Sequence, residues 1–350
     1  MPKCRAVAAT VFGEEGRVEF VGISLFDRFL SLAEKRVDIV ARTSTHTMER
    51  NLHEVRCIRS FRFHFSWFGQ ATQQSVFLFY SSQPTTGMGF AFSIPYLYNG
   101  MQFAGLAPYV ECAENFSNDN ECANTNICAL DSSTHIALIR SRNPDLAITS
   151  VIRSSDLYLQ FSKGFCNVIA GEQFDVAESA GREQGYLGSI EMGKKVHSKE
   201  PLALVTRGDD PEWSDIVNWV MQALLAADEA RIFSRTADSV GTASEAFGSF
   251  FQDGFRRAIA AVGNYGEIYN RHLLSILPRP DQDRLNTGTS GLIYSFPFGS
   301  IDPDDGEFGP GPVLGGSLEA ISARGTLVCG VFRRPVFAEY NFDASTWYGK

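Results

Sequence analysis

Apolar positions recur along this chain in two rhythms that alternate. Residues 4–12 (CRAVAATVF) keep a helical spacing, residues 17–21 a strand's, residues 25–34 a helix's and residues 37–40 a strand's again. A hydroxyl-rich stretch, Thr43, Ser44, Thr45 and Thr47, follows as a predicted turn before Arg50. Further on, Phe61, Phe63 and Phe65 alternate with Arg62, His64 and Ser66, and residues 75–80 (SVFLFY) supply a second strand. That pair predicts a β-hairpin whose aromatic face must be covered. Residues 90–103 are strand-like and aromatic. Residues 127–130, 151–152 and 166–170 predict strands, with a turn at 131–134 leading into a helix at 135–140. A strand at 197–208 returns the chain to a long helix over 211–231, whose period of 3.6 runs through Ile216, Trp219, Val220, Ala223 and Leu224. Another helix covers 250–262. Residues 302–316 (DPDDGEFGPGPVLGG) have no period and predict a linker. A helix at 318–324 and a buried-type strand at 325–331 (GTLVCGV) come after it. Strands alternating with helices over short connections indicate an α/β fold, in which ligands sit at the carboxyl ends of strands.

Composition narrows this picture only moderately. A chain of 350 residues with 44% hydrophobic and 20% charged positions can hold one large or two medium lobes. A net charge of −9 argues against nucleic acid as a partner, and no apolar run suffices for membrane insertion. The first residues have no h-region of a signal peptide, so the chain is expected to be cytosolic, a mature form or a piece of something longer. Seven cysteines show no CxxC pair and no nearby histidine cluster, so neither a metal nor a cofactor is called for. Cys112 and Cys122 bracket a polar loop that looks stapled, and disulfides would place the protein outside the cytosol. An odd count leaves a thiol over, expected at Cys57. No nucleophile elbow or metal-ligand spacing supports an enzyme. The chemistry that does stand out is the hydroxyl stretch with Arg50, a natural anion cradle with a two-pronged carboxylate contact.

Several stretches resemble the general amino-acid ABC-transporter solute-binding proteins, a branch of the type II periplasmic binding proteins. They are CRAVAATVFG, VDIVARTSTHTMER, YLYNG, CALDSST, GFCNVIAGE, SKEPLALVTRGDDPEW, VGNYGEIYNR, GLIYSFP and ARGTLVCGV. The resemblance implies two α/β lobes hinged over a free amino acid. It puts Thr45 and Arg50 at the ligand's α-carboxylate, Ser133 and Thr134 on the second lobe's carboxylate-contacting turn, and Glu172 at the α-amino group. A buried zwitterion needs both charges paired, which these residue types provide. The resemblance also implies disulfides Cys4–Cys329 and Cys128–Cys166. Three departures stand out: Ser132 replaces a family glycine, Asn167 a family aspartate, and Glu172 a shorter aspartate.

The order of segments departs as well. In the family ARGTLVCGV opens the domain, whereas here it lies near the C-terminus, so joining Lys350 to Met1 restores the family order; the chain is expected to be either circularly permuted or one period of a tandem array cut within the domain. The expected fold is therefore a two-lobed type II periplasmic-binding-protein fold, circularly permuted, with an inserted β-hairpin at 52–88. Lobe 1 is expected over 1–98 and 203–350, with 302–316 as linker and 317–350 as the permuted first-strand segment; lobe 2 spans 99–202. Two functions follow. One is extracytoplasmic binding of a free L-amino acid, with a transporter as partner. The other is a structural module in which the 325–331 strand completes the sheet of a neighbouring copy and ligand binding is lost.

Overall fold

The computed structural model describes residues 2–25, 27–47, 50, 89–177, 181–182, 185–240, 253–275, 277–279, 316–331, 339–341 and 346–348. The aromatic hairpin at 52–88, Cys57 and the 302–315 stretch lie outside the described residues.

In chain order, α1 (Pro2–Phe12), β1 (Val18–Gly22), α2 (Arg28–Ala33) and β2 (Ile39–Thr45) come first. Thr43, Ser44 and Thr45, expected to turn, are instead the end of β2, because Thr45 and Ser44 pair with Leu202 and Ala203, while Thr47 lies beyond the strand. β-branched threonines suit a paired strand as well as a turn, and the pairing decides. Next come β3 (Phe90–Phe92), β4 (Leu97–Asn99) and β5 (Met101–Gly105), then α3 (Ala107–Glu114), β6 (Asn126–Leu130) and α4 (Thr134–Arg142). β7 (Ala147–Val151), α5 (Ser155–Ser162), β8 (Val168–Glu172), α6 (Gln173–Val176) and β9 (Glu191–Met192) follow. β10 (Glu200–Arg207) leads into α7 (Pro211–Glu229), α8 (Gly254–Val262) and α9 (Tyr265–His272). After the gap come α10 (Ser317–Arg324), β11 (Leu327–Val331), β12 (Glu339–Asn341) and β13 (Thr346–Tyr348).

Two mixed sheets result. The first has the order β1-β11-β2-β10-β3, with β4 also paired to β10. The apolar strand β11 lies parallel to both β1 and β2, with Cys329 beside Phe20 on one side and Ile39 on the other. It is thus internal to the sheet of its own chain, and Leu327, Cys329 and Val331 are fully buried. The second sheet has the order β7-β6-β8-β5-β9. All five residues of its strand β8 are buried, as expected of a strand covered on both faces. Helices α1 and α7 pack against the first sheet, α8 packs on α1 and α7, and α9 packs on α7. α7 starts at Asp210, which caps the Trp213 N–H at 3.0 Å, and it buries Trp213, Ile216, Val220 and Leu224.

The chain passes between the sheets twice, at Asn99–Met101 and again near Ser198, and the two passages touch. The His197 N–H donates to the Met101 carbonyl at 2.8 Å, and the Met101 N–H to Ser198 Oγ at 2.9 Å. Gly100 permits this, because a Cβ there would lie 2.1 Å from the Ser198 carbonyl oxygen. Three disulfides are present: Cys4–Cys329, Cys112–Cys122 and Cys128–Cys166.

Candidate functional site

The end of β2, the start of α4 and the end of β8 face one another across a cleft with about 340 Å³ of unfilled space open to solvent. The residues that line it include Leu25, Arg28, Arg42, Thr45, Arg50, Leu130, Ser133, Thr134, His135 and Glu172. All five side chains singled out for ligand contact in the sequence therefore border one space, contributed by both sheets.

Their local roles differ. Arg50 is held from two sides: its backbone N–H donates to Thr47 Oγ1 at 3.2 Å, and its guanidinium donates to the Thr45 carbonyl at 2.9 Å. Ser133 caps α4, its hydroxyl oxygen accepting the Ile136 N–H at 3.3 Å, which turns the positive end of that helix toward the cleft. Ser132, where the resembled family has glycine, takes a φ of 53° in the left-handed region, a cost of about 1 kcal/mol for a non-glycine residue. Asn167 is occupied structurally: its side chain accepts the Asn126 N–H at 2.9 Å and donates to the Asn124 carbonyl at 2.7 Å. Glu172, at the end of β8, is 5% exposed.

Thr45 and Thr134 do something the sequence did not announce. Both donate their hydroxyls to one carboxylate oxygen of Glu200, at 2.6 and 2.7 Å, and Ser198 donates to the other oxygen at 2.9 Å. A carboxylate only accepts, so the donor of each threonine is spent there. Glu200 is 3% exposed, and it ties β2 of the first sheet to the start of α4 on the second. In this conformation the threonine hydroxyls are spent on Glu200, and their oxygens are left as acceptors. Glu200 belongs to the SKEPL run, where the sequence offers no charge partner to mark it.

His135, 2% exposed, brings a ring nitrogen to 3.5 Å from Glu200, and neither ring nitrogen has a hydrogen-bond partner. Donor atoms of His135, Glu172 and Glu200 lie within 4.8 Å of one another, a grouping a metal ion could use. Three guanidiniums, Arg28, Arg42 and Arg50, share the same cleft, and Glu200 already accepts three hydroxyls. Those surroundings favour an anionic or zwitterionic guest over a divalent cation. Arg28 and Arg42 were missed in the sequence. Arg28 starts a short helix, where arginine usually faces water, and Arg42 gives a signal only in hindsight, as a charge inside the apolar-flanked strand VDIVARTST.

Two mixed α/β sheets joined by a double crossover, with a charged cleft between them, make the fold of the periplasmic binding proteins, and this chain has that fold. Its curated relatives are amino-acid ABC-transporter-binding proteins. One is the putative amino-acid ABC transporter-binding protein YhdW of Escherichia coli strain K12, 26% identical over 327 residues, covering 84% of this chain and 81% of that protein. Another is the glutamate/glutamine/aspartate/asparagine-binding protein BztA of Rhodobacter capsulatus, 24% identical over 316 residues, covering 84% and 82%. Among solved structures, an ABC transporter/periplasmic binding protein from Brucella ovis with glutathione bound superposes with a TM-score of 0.57 at 21% identity, over 79% of this chain and 81% of that one. No family profile matches the chain.

Proposed function

We propose that this protein binds a free amino acid in the cleft between its two sheets and delivers it to a membrane transporter without chemical change. The observation that carries this is the convergence of Arg50, Ser133, Thr134, Thr45 and Glu172, from both sheets, on one cleft. Arg50 and the capped start of α4 take the α-carboxylate, and Glu172 takes the α-amino group. Each charge of a buried zwitterion is then met by an opposite one, without which its desolvation would not be recovered. The names of the curated relatives support the ligand class. The sheets serve as lobes, 1–98 with 203–350 and 99–202, which close over the ligand about the crossover at Gly100 and Ser198. The order of segments is that of a circular permutation, with residues 302–316 bridging the old ends. Three disulfides support an extracytoplasmic location, and among the described residues no helix is long and apolar enough to cross a membrane.

Titration calorimetry with the common L-amino acids tests the reading. Binding heat is expected for at least one of them. Arg50→Ala should lose about 3–5 kcal/mol, two or more decades in affinity, and Glu172→Gln less. Absence of heat with every amino acid on the unmodified, folded chain would overturn it.

A further inference from the structure

The imidazole of His135 has no role in the site as built so far. It lines the cleft and is 2% exposed, yet neither ring nitrogen makes a hydrogen bond. A buried polar atom without a partner is costly, and folded proteins rarely leave one. In the wall of a binding cleft, such a nitrogen marks a contact that the ligand completes.

Two carboxylates stand around it. Donor atoms of His135, Glu172 and Glu200 all lie within 4.8 Å of one another, and they come from α4, β8 and β10. Glu172 lines the cleft beside His135, and Glu200 holds Thr45 and Thr134, which line it as well. A carboxylate offers about four lone-pair directions. Glu200 spends two on the threonine hydroxyls at Oε2 and one on Ser198 at Oε1. The direction it keeps is at Oε1, the oxygen that stands 3.5 Å from His135. A neutral imidazole adds one acceptor nitrogen of its own. An ammonium group is the donor that suits such a trio. Its three N–H bonds point to corners about 4.6 Å apart when each acceptor is about 2.8 Å away. The His135–Glu200 edge is shorter than that, and a seated ammonium would widen it.

From this geometry we infer that His135, with Glu172 and Glu200, forms a three-acceptor seat for the ligand's α-ammonium, so that the site selects primary amino acids over N-alkylated ones. The inference rests on the amino-acid-binding reading above and adds two contacts to the one given there to the amine. His135 acts in its neutral form, since a second ring proton would set a donor and a positive charge against the ammonium. Replacing one N–H of the ligand by a methyl leaves two donors for three acceptors, and one buried acceptor goes unmet.

The test is titration calorimetry of the full chain with the common L-amino acids, and then with the tightest of them beside its own Nα-methyl derivative. The primary form should bind at least about tenfold tighter, the order expected for one hydrogen bond to a charged group. His135→Leu removes the acceptor without giving the methyl more room, so it should pull that ratio toward one. His135→Asn, which keeps an acceptor, should hold part of it. Thermal unfolding of each variant shows whether it is folded; if His135→Leu is not, the ratio on the unmodified chain decides alone. Equal affinity for the two forms, an unchanged ratio in folded His135→Leu, or proline as the tightest binder would overturn the three-acceptor seat and leave amino-acid binding standing. Zinc ions that alone bind more tightly than any amino acid, and lose that affinity in His135→Leu, would assign the trio to a metal and overturn it too. No heat with any amino acid would overturn both readings.

Discussion

Glu200 is the residue on which the arrangement of the cleft most depends. Its carboxylate collects hydroxyls from Thr45, Thr134 and Ser198, so three side chains from separate segments take their orientation from one buried anion. Glu200→Gln keeps the volume but puts an amide N–H against one of those donors. The expected loss is about 1–3 kcal/mol of unfolding free energy in urea, with weaker ligand binding alongside. Thr45→Val and Thr134→Val should each lose most of their effect in the Glu200→Gln background, since the partner is already gone. Additive effects would mean that Glu200 does not couple them. At this scale the sequence singled out Arg50, Ser133 and Glu172, where chemistry and a resembled motif coincided, and the fold brings all three to one cleft. The sequence was illegible for Glu200, His135, Arg28 and Arg42, because a charge inside a strand or helix declares its partner only when a distant segment folds against it.

Among the elements, β11 matters most. It is the strand through which β1 joins the sheet, and a disulfide and two contacts to Asp38 hold it and the helix end before it. Cys329 is bonded to Cys4 of α1; the Val328 N–H donates to Asp38 at 2.6 Å; and Arg324, at the end of α10, also pairs with Asp38. Burial raises the Asp38 carboxyl above its usual range, and the Val328 and Arg324 contacts work against that shift. Reducing this disulfide, or replacing Cys329 with Ser, should cost about 2–4 kcal/mol of stability. Non-reducing gels should show a monomer with Cys4 and Cys329 joined inside it. A ladder of multimers that collapses in Cys329→Ser would instead mean that the strand is given to a neighbour. The strand's existence was plain from the run GTLVCGV, an apolar segment that water would not tolerate. Its place between β1 and β2 was not written in its own residues, because period and apolarity specify a buried strand without saying which edges cover it. The hydroxyl stretch Thr43–Thr45 shows the converse: local turn preference yielded to pairing with β10.

For the whole molecule, the alternation of helical and strand periods sufficed to read the α/β class, and the two sheets follow from where the crossovers fall. The Gly100 and Ser198 passages are close enough that a side chain at position 100 would not fit. Two chain segments and one glycine are therefore where the proposed closure over a ligand would pivot. The molecule is negative overall, while Arg28, Arg42 and Arg50 are gathered with Glu172 among the described residues of the cleft, so the proposed amino-acid selectivity would be set locally. The most direct measurement is a crystal structure of the full chain grown with a saturating concentration of the L-amino acid that gives the largest binding heat. The account predicts ligand density between Arg50 and Glu172, with its α-carboxylate on Arg50 and its ammonium on Glu172. A ligand seated elsewhere, or a cleft that stays empty while the chain is folded and the amino acid saturating, would contradict it.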